Sequence, residues 1–203
     1  MVERKTPTRL ALLQATRDLL VTQPYSEVSL GRVAATAGVS RQAVYLHFSS
    51  KTDLLLSLVS WIDDDGRLPQ LMAEVFSHHD PVDRFLAGIR AAASYNADIA
   101  DVGLALHAAS RTDPAASRAW EDRMAARLEG SNAFLEPIEA SGRLRAGWTI
   151  QTATDALFAL TSLTTYDDLV RARGWAQADY EQRLVMMAKQ LVLVDRFGEQ
   201  DER

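Results

Sequence analysis

The chain has 203 residues, 47% of them hydrophobic and 24% charged, the balance of a soluble globular protein with a real core and not of a disordered one. It has no cysteine, which excludes disulfides, thiolate nucleophiles and every cysteine-ligated zinc or iron–sulfur centre. The net charge of -5 is unevenly spread: residues 1–52 carry seven basic and three acidic side chains, net +4, and the remainder is net -9. A basic head on an acidic body is the footprint of a molecule that meets a polyanion at one end, although a solvated basic surface gives the same count. The longest run without a charge, Ala156 to Tyr166, has eleven residues. That is well short of the roughly 18 to 20 needed to cross a bilayer. The opening MVERKTPTRL has no apolar leader, so the expectation is a cytoplasmic protein with no membrane partner.

Helical periodicity recurs from end to end, and no pair of alternating strand patterns flanks a hairpin turn, so the expected fold is all-α. Thr6 followed by Pro7 marks a helix start, and Leu12, Leu13, Thr16, Leu19 and Leu20 form an apolar stripe that Pro24 stops. Ser29 can cap a short second helix carrying Leu30, Val33, Ala34 and Ala37, after which Gly38 offers the left-handed backbone that ends a helix without a Cβ penalty. Ser40 can cap a third helix, Arg41 to His47, anchored by Val44 and Phe48 with Val39 in the turn. Ser50-Lys51-Thr52-Asp53, a variant of the capping box, opens a fourth through Leu54, Leu55, Leu58, Val59 and Ile62. Further helices are expected over 68–78, 81–98, 100–111, 114–140, 149–172 and 176–195, with Pro81, Pro114, Gly142, Gly147 and Gly174 as punctuation. No Gly/Ser-rich linker intervenes, so the fourth helix is expected to join a head of residues 1–52 rigidly to a body of residues 53–203.

Two short helices meeting across a glycine turn make a helix-turn-helix, whose second helix lies in the DNA major groove. Arg41 and Gln42 occupy the N-terminal turn of that helix, the part that reaches base edges. Arginine matches O6 and N7 of guanine, and glutamine matches N6 and N7 of adenine, each good pair discriminating by about 1 to 3 kcal/mol. Tyr45, His47 and Lys51 carry donors suited to phosphate oxygens, and the first free amides of the helix after Ser50 add an anion site. Tyr45 can at the same time pack partly into the core.

The same residues carry a family resemblance. The Ala37 to Ser40 turn, the Tyr45 to Phe48 helix end and the Lys51 to Leu55 helix start resemble the N-terminal domain of TetR/AcrR-type transcriptional regulators. The resemblance implies a three-helix DNA-binding head, 1–52, and a helical effector-binding and dimerisation body, 53–203. It implies base contacts from Arg41, Gln42 and Ala43 and backbone contacts from Ser29, Tyr45, His47 and Lys51. The partners it implies are double-stranded operator DNA, a second copy of the chain and an unidentified small-molecule effector, and the expected function is a repressor that the effector releases from its operator, with constitutive DNA binding and ligand-dependent activation as the alternatives. The chain departs from the pattern at Pro24, where glycine is common, although Tyr25 keeps the aromatic. Gly31 stands in the first turn of the second helix and cannot read a base. Gln42 replaces a small residue.

The body is less legible. Trp61, Phe85, Tyr95, His107 and Trp120 are bulky side chains that could line an effector pocket or simply fill the core. Tyr180, Leu184, Met187, Leu191 and Val194 recur at spacings of four and three, and Ala153, Ala156, Leu157, Leu160 and Leu163 offer a second stripe. A dimer seam and an internal core share that pattern, and the resemblance favours the dimer. Asp63-Asp64-Asp65 point in different directions on a helix and read as its solvated end, while Asp80 reads as the cap of the Pro81 helix. No metal and no cofactor are expected. The sequence contains no phosphate-binding glycine loop, nucleophile elbow or His-Glu-x-x-His, so no catalysis is expected either.

Overall fold

A computed structural model describes residues 6–194 of the chain. Among these residues the regular structure is helical apart from one isolated antiparallel bridge between Leu144 and Leu193, and no helix is long and apolar enough to cross a membrane. Two compact units emerge. Among the described residues, one holds 6–66 together with Ile99–Arg123, and the other holds Arg67–Asp98 and 124–194.

In the first unit, α1 (Pro7–Thr22) starts at Thr6, whose hydroxyl accepts the Arg9 amide at 3.2 Å, and it buries Leu12, Leu13, Ala15, Thr16 and Leu20. A single 3-10 turn, Tyr25–Glu27, follows Pro24, whose fixed φ suits the extended entry. α2 (Leu30–Thr36) packs against α1 and against α3 (Arg41–Tyr45). Gly38 has φ +68 and turns the chain between them, a conformation that costs other residues steric strain. α3 stops two residues before the expected His47, because the His47 and Phe48 amides both turn back to the Val44 carbonyl, at 3.0 and 2.9 Å. α4 (Lys51–Asp65) is capped by Ser50, which accepts the Asp53 amide at 3.0 Å.

In the second unit, α5 (Leu68–Ser77) lays Leu71 and Val75 against Ala87, Ala91 and Phe134. Gly88 leaves room there for the Phe134 ring, 3.3 Å from where a Cβ would stand. The expected helices 81–98 and 100–111 are one helix, α6 (Pro81–Ser110), since nothing at Asp98 to Ala100 interrupts the backbone bonds. α7 (Pro114–Ala140) follows, and the boundary between the units falls within both. The expected helix 149–172 is instead α8 (Ile150–Leu160), α9 (Leu163–Tyr166) and a π-helical segment, Asp167–Ala172. The break is made by side chains of other helices. The Thr161 carbonyl accepts from Asn96 at 3.1 Å and Arg127 at 3.3 Å, and Ser162 restarts the helix as an extended cap.

α10 (Gln177–Val192) buries Tyr180, Leu184, Ala188 and Val192 against its own chain and packs on α8. Tyr180 meets Tyr166 edge-on at 5.3 Å and receives an Asn96 hydrogen bond at 3.2 Å. Of the ten residues read as a dimer seam, Ala153, Leu157, Tyr180 and Leu184 are thus buried inside one chain. The period recorded an apolar face and not what covers it. Ala156, Leu160, Leu163, Met187 and Leu191 are half-buried, and Val194, beside the bridge, is exposed.

Candidate nucleic-acid interface

α3 has only five residues, far too few to persist alone, so its orientation is set by packing. Val44 and Phe48 are fully buried behind it, and the Arg9 guanidinium lies 5.0 Å from the Phe48 ring centre, bracing it from α1. Ser40 caps the helix by accepting the Ala43 amide at 3.1 Å. Arg41, Gln42 and Tyr45 project outward and are exposed, while Ala43 and His47 are half-buried. Such a surface, with two side chains of base-matching geometry on a rigidly backed helix, can enter a groove. Sequence reasoning passed over Leu46, which shares this outward face. The available signal was that Val44 and Phe48 already define the buried side, which leaves position 46 pointing away.

The expected backbone-contact residues are distributed differently. Ser29 is exposed and caps α2 through the Arg32 amide, at 3.3 Å. Gly31, behind it, is open enough to take a side chain, with nothing closer than Ser29 Oγ at 4.0 Å. Lys51 turns onto the 3-10 turn, where its ammonium donates to the Tyr25 carbonyl and lies 3.8 Å from the Tyr25 ring centre. Burial lowers its pKa from the ordinary value. The first turn of α4 already holds a carboxylate, since Asp53 accepts the Ser49 amide at 2.7 Å and the Ser49 hydroxyl at 2.9 Å. This negative charge sits in the first turn of the helix, where the helix dipole favours it.

Behind Lys51 a polar relay crosses the unit. The Tyr25 phenol is pushed above its ordinary value by burial, against a hydrogen bond with Thr52 and with the Asp113 charge adding to the rise. Thr52 donates to Asp113 Oδ2 at 2.8 Å, and Asp113 Oδ1 caps α7 through the Ala115 and Ala116 amides at 2.9 and 3.0 Å. These bonds, the Ala116 amide foremost, hold the Asp113 carboxyl below its ordinary pKa. Asp63 forms a bidentate pair with Arg123 at 2.7 and 2.8 Å, and Asp80 both caps α6 and pairs with Arg143 at 2.8 Å.

The five pocket candidates are divided between the two units. His107 and Trp120 stack at 4.5 Å in the first unit, where the half-buried Trp61 also lies. Phe85 is core of the second unit, and Tyr95 is half-buried there. A small open cleft in that unit is lined by other residues, among them Leu71, Val75, Arg90, Ser94 and Glu181.

Residues 12–58, which span α3 and its supports, match the family described as bacterial regulatory proteins of the tetR family. Over those residues the chain is similar to the N-terminal domain of TetR-family regulators. The nucleoid occlusion factor SlmA of Idiomarina loihiensis is 36% identical over 64 residues, which cover 32% of this chain and 33% of that relative. The transcriptional repressor BepR of Brucella suis is 33% identical over 79 residues, covering 37% of this chain and 36% of its own. The chain spans about a third of the length of the curated relatives it matches. A Saccharomonospora viridis protein crystallised in complex with choline is 18% identical with a TM-score of 0.78, covering 92% of this chain and 98% of that one, a likeness of fold. The TetR-type match ends at residue 58, and beyond it only the fold is shared with this solved structure.

Proposed function

We propose that the protein is a sequence-specific DNA-binding transcriptional regulator without enzymatic activity, in which residues 1–52 meet duplex operator DNA and residues 53–203 dimerise and take up an effector. The observation that carries this reading is the outward face of α3, where Arg41, Gln42 and Tyr45 are exposed while Val44 and Phe48 fix the opposite side in the core. Arg41, Gln42 and Ala43 meet base edges. Ser29, Tyr45, His47 and Lys51 meet the backbone, Lys51 with the ammonium hydrogens that Tyr25 leaves over.

The regulatory sense we propose is repression relieved by a small molecule in the cytoplasm. A named repressor among the relatives and the choline held by a protein of the same fold support that sense. Release by a hundredfold requires about 2.7 kcal/mol of coupling, and operator must weaken effector binding by the same factor. Selection of binding sites from random duplexes tests the reading. A near-palindromic sequence is expected to enrich, and recovery of duplexes with no shared sequence would refute it.

A further inference from the structure

Leu46 has the highest exposure of the large apolar side chains among the described residues, 79%. An isolated exposed leucine is ordinary on a protein surface, so position has to give it meaning. Leu46 is the C-cap of α3 and still has helical backbone, φ -72 and ψ -20, so it stands four residues after Gln42 and three after Ala43 on one face. The chain reverses immediately after it to bury Phe48, which leaves Leu46 at the tip of the element. Tyr45, beside it, is 51% exposed, so the end of α3 presents two adjoining apolar groups next to the polar pair Arg41 and Gln42.

The edges of base pairs in the major groove offer hydrogen-bonding groups and one apolar group, the C5-methyl of thymine. A side chain four positions along a helix lies about 6 Å further along its axis. Base pairs are stacked about 3.4 Å apart along the duplex. We infer that Leu46 is a specificity-determining residue that packs on a thymine C5-methyl one or two base pairs from the pair met by Gln42. This rests on the DNA-binding reading of α3. It adds an apolar element to a recognition surface otherwise made of hydrogen bonds, and it needs no movement of the helix, because the side chain already projects outward.

The test uses the full-length protein and its selected operator, with each thymine in turn replaced by deoxyuridine, which deletes one methyl and no hydrogen-bonding group. Loss of the methyl is expected to weaken binding about fourfold per half-site at one position, the effect of withdrawing one methylene-sized contact. Leu46→Ala is expected to bind the unmodified operator more weakly and to be indifferent to deoxyuridine at that position, while Leu46→Met keeps the sensitivity. Leu46→Gln, which retains length but not the apolar tip, carries the same expectation as alanine if Leu46→Ala melts early. Indifference of the unsubstituted protein to every deoxyuridine overturns the inference. So does methyl sensitivity that survives both in Leu46→Ala and in Leu46→Gln, which would assign the contact to Tyr45 or Ala43. A selection that enriches no sequence fails the DNA-binding reading itself, and the inference falls with it.

Discussion

Arg41 and Gln42 differ from Lys51 in what removal should do, because base edges carry sequence information and phosphates do not. Replacing Arg41 or Gln42 with alanine is expected to relax preference at one operator position by about 1 to 3 kcal/mol each. Lys51→Ala should weaken all duplexes alike and reduce the salt slope of binding by about 1. Titrations of matched and scrambled duplexes over a salt series separate the two classes. If Lys51→Ala lowers thermal stability and leaves the salt slope unchanged, its ammonium serves Tyr25 alone. Gly38 poses a backbone question with no packing component, since a Cβ there would meet nothing within 4 Å although φ is +68. Gly38→Ala should therefore cost about 1 to 2 kcal/mol through the left-handed conformation alone. Denaturant unfolding measures it, and a variant as stable as the parent would contradict the strain argument.

Elements as short as α2 and α3 persist because their ends are tied and their backs are buried. Ser29 and Ser40 close their first turns, Val33, Val44 and Phe48 are buried behind them, and α2 packs on both α1 and α3. α4 and α7 are joined in the same unit by Thr52 and Asp113, a link that depends on the ionised carboxylate. The Asp113 pKa is lowered in the folded chain, so its contribution is fully present above the ordinary value of 3.8 and is lost as pH falls through the lowered folded value. Asp113→Asn keeps an acceptor but no charge. It should be less stable than the parent near neutrality and converge on it in acid. Urea unfolding of both proteins at about pH 6 and about pH 3 tests this, and a stability difference that stays constant with pH would rule it out.

For the whole molecule, the proposed twofold dimer has to use the part of α8 and α10 that the chain does not bury itself. Met187 and Leu191 are half-buried on α10, and the neighbouring Met186 is 45% exposed, whereas Tyr180 and Leu184 are spent in the core. Leu191→Asp combined with Met187→Asp is expected to give a folded monomer in sedimentation at micromolar concentration. Leu184→Ala should instead lose about 2 to 5 kcal/mol of stability, as core truncations do. If the unsubstituted protein sediments only as a monomer, with and without operator, the dimer is wrong. A dimer also sets the operator, because two α3 helices require half-sites about one helical turn, roughly 34 Å, or a multiple apart.

The sequence by itself determined what rests on bonds a few residues long. Thr6, Ser29, Ser40, Ser50 and Asp80 are caps that accept amides two or three positions ahead, and Gly38, Gly142, Gly147 and Gly174 take the positive φ their places as punctuation required. The head of the molecule was legible for that reason: its turn, its buried anchors and its family pattern all lie within about fifty consecutive residues. Only the tertiary structure decided the partners of Asp63 and Asp80, arginines 60 and 63 positions away, and the break at Thr161, made by Asn96 and Arg127 from other helices. It alone turned Lys51 onto Tyr25, put Tyr180 and Leu184 inside and left Leu46 outside. Periodicity fixes which residues share a face, but the element that covers that face comes from elsewhere in the chain, and its burial energy is settled only when the helices pack.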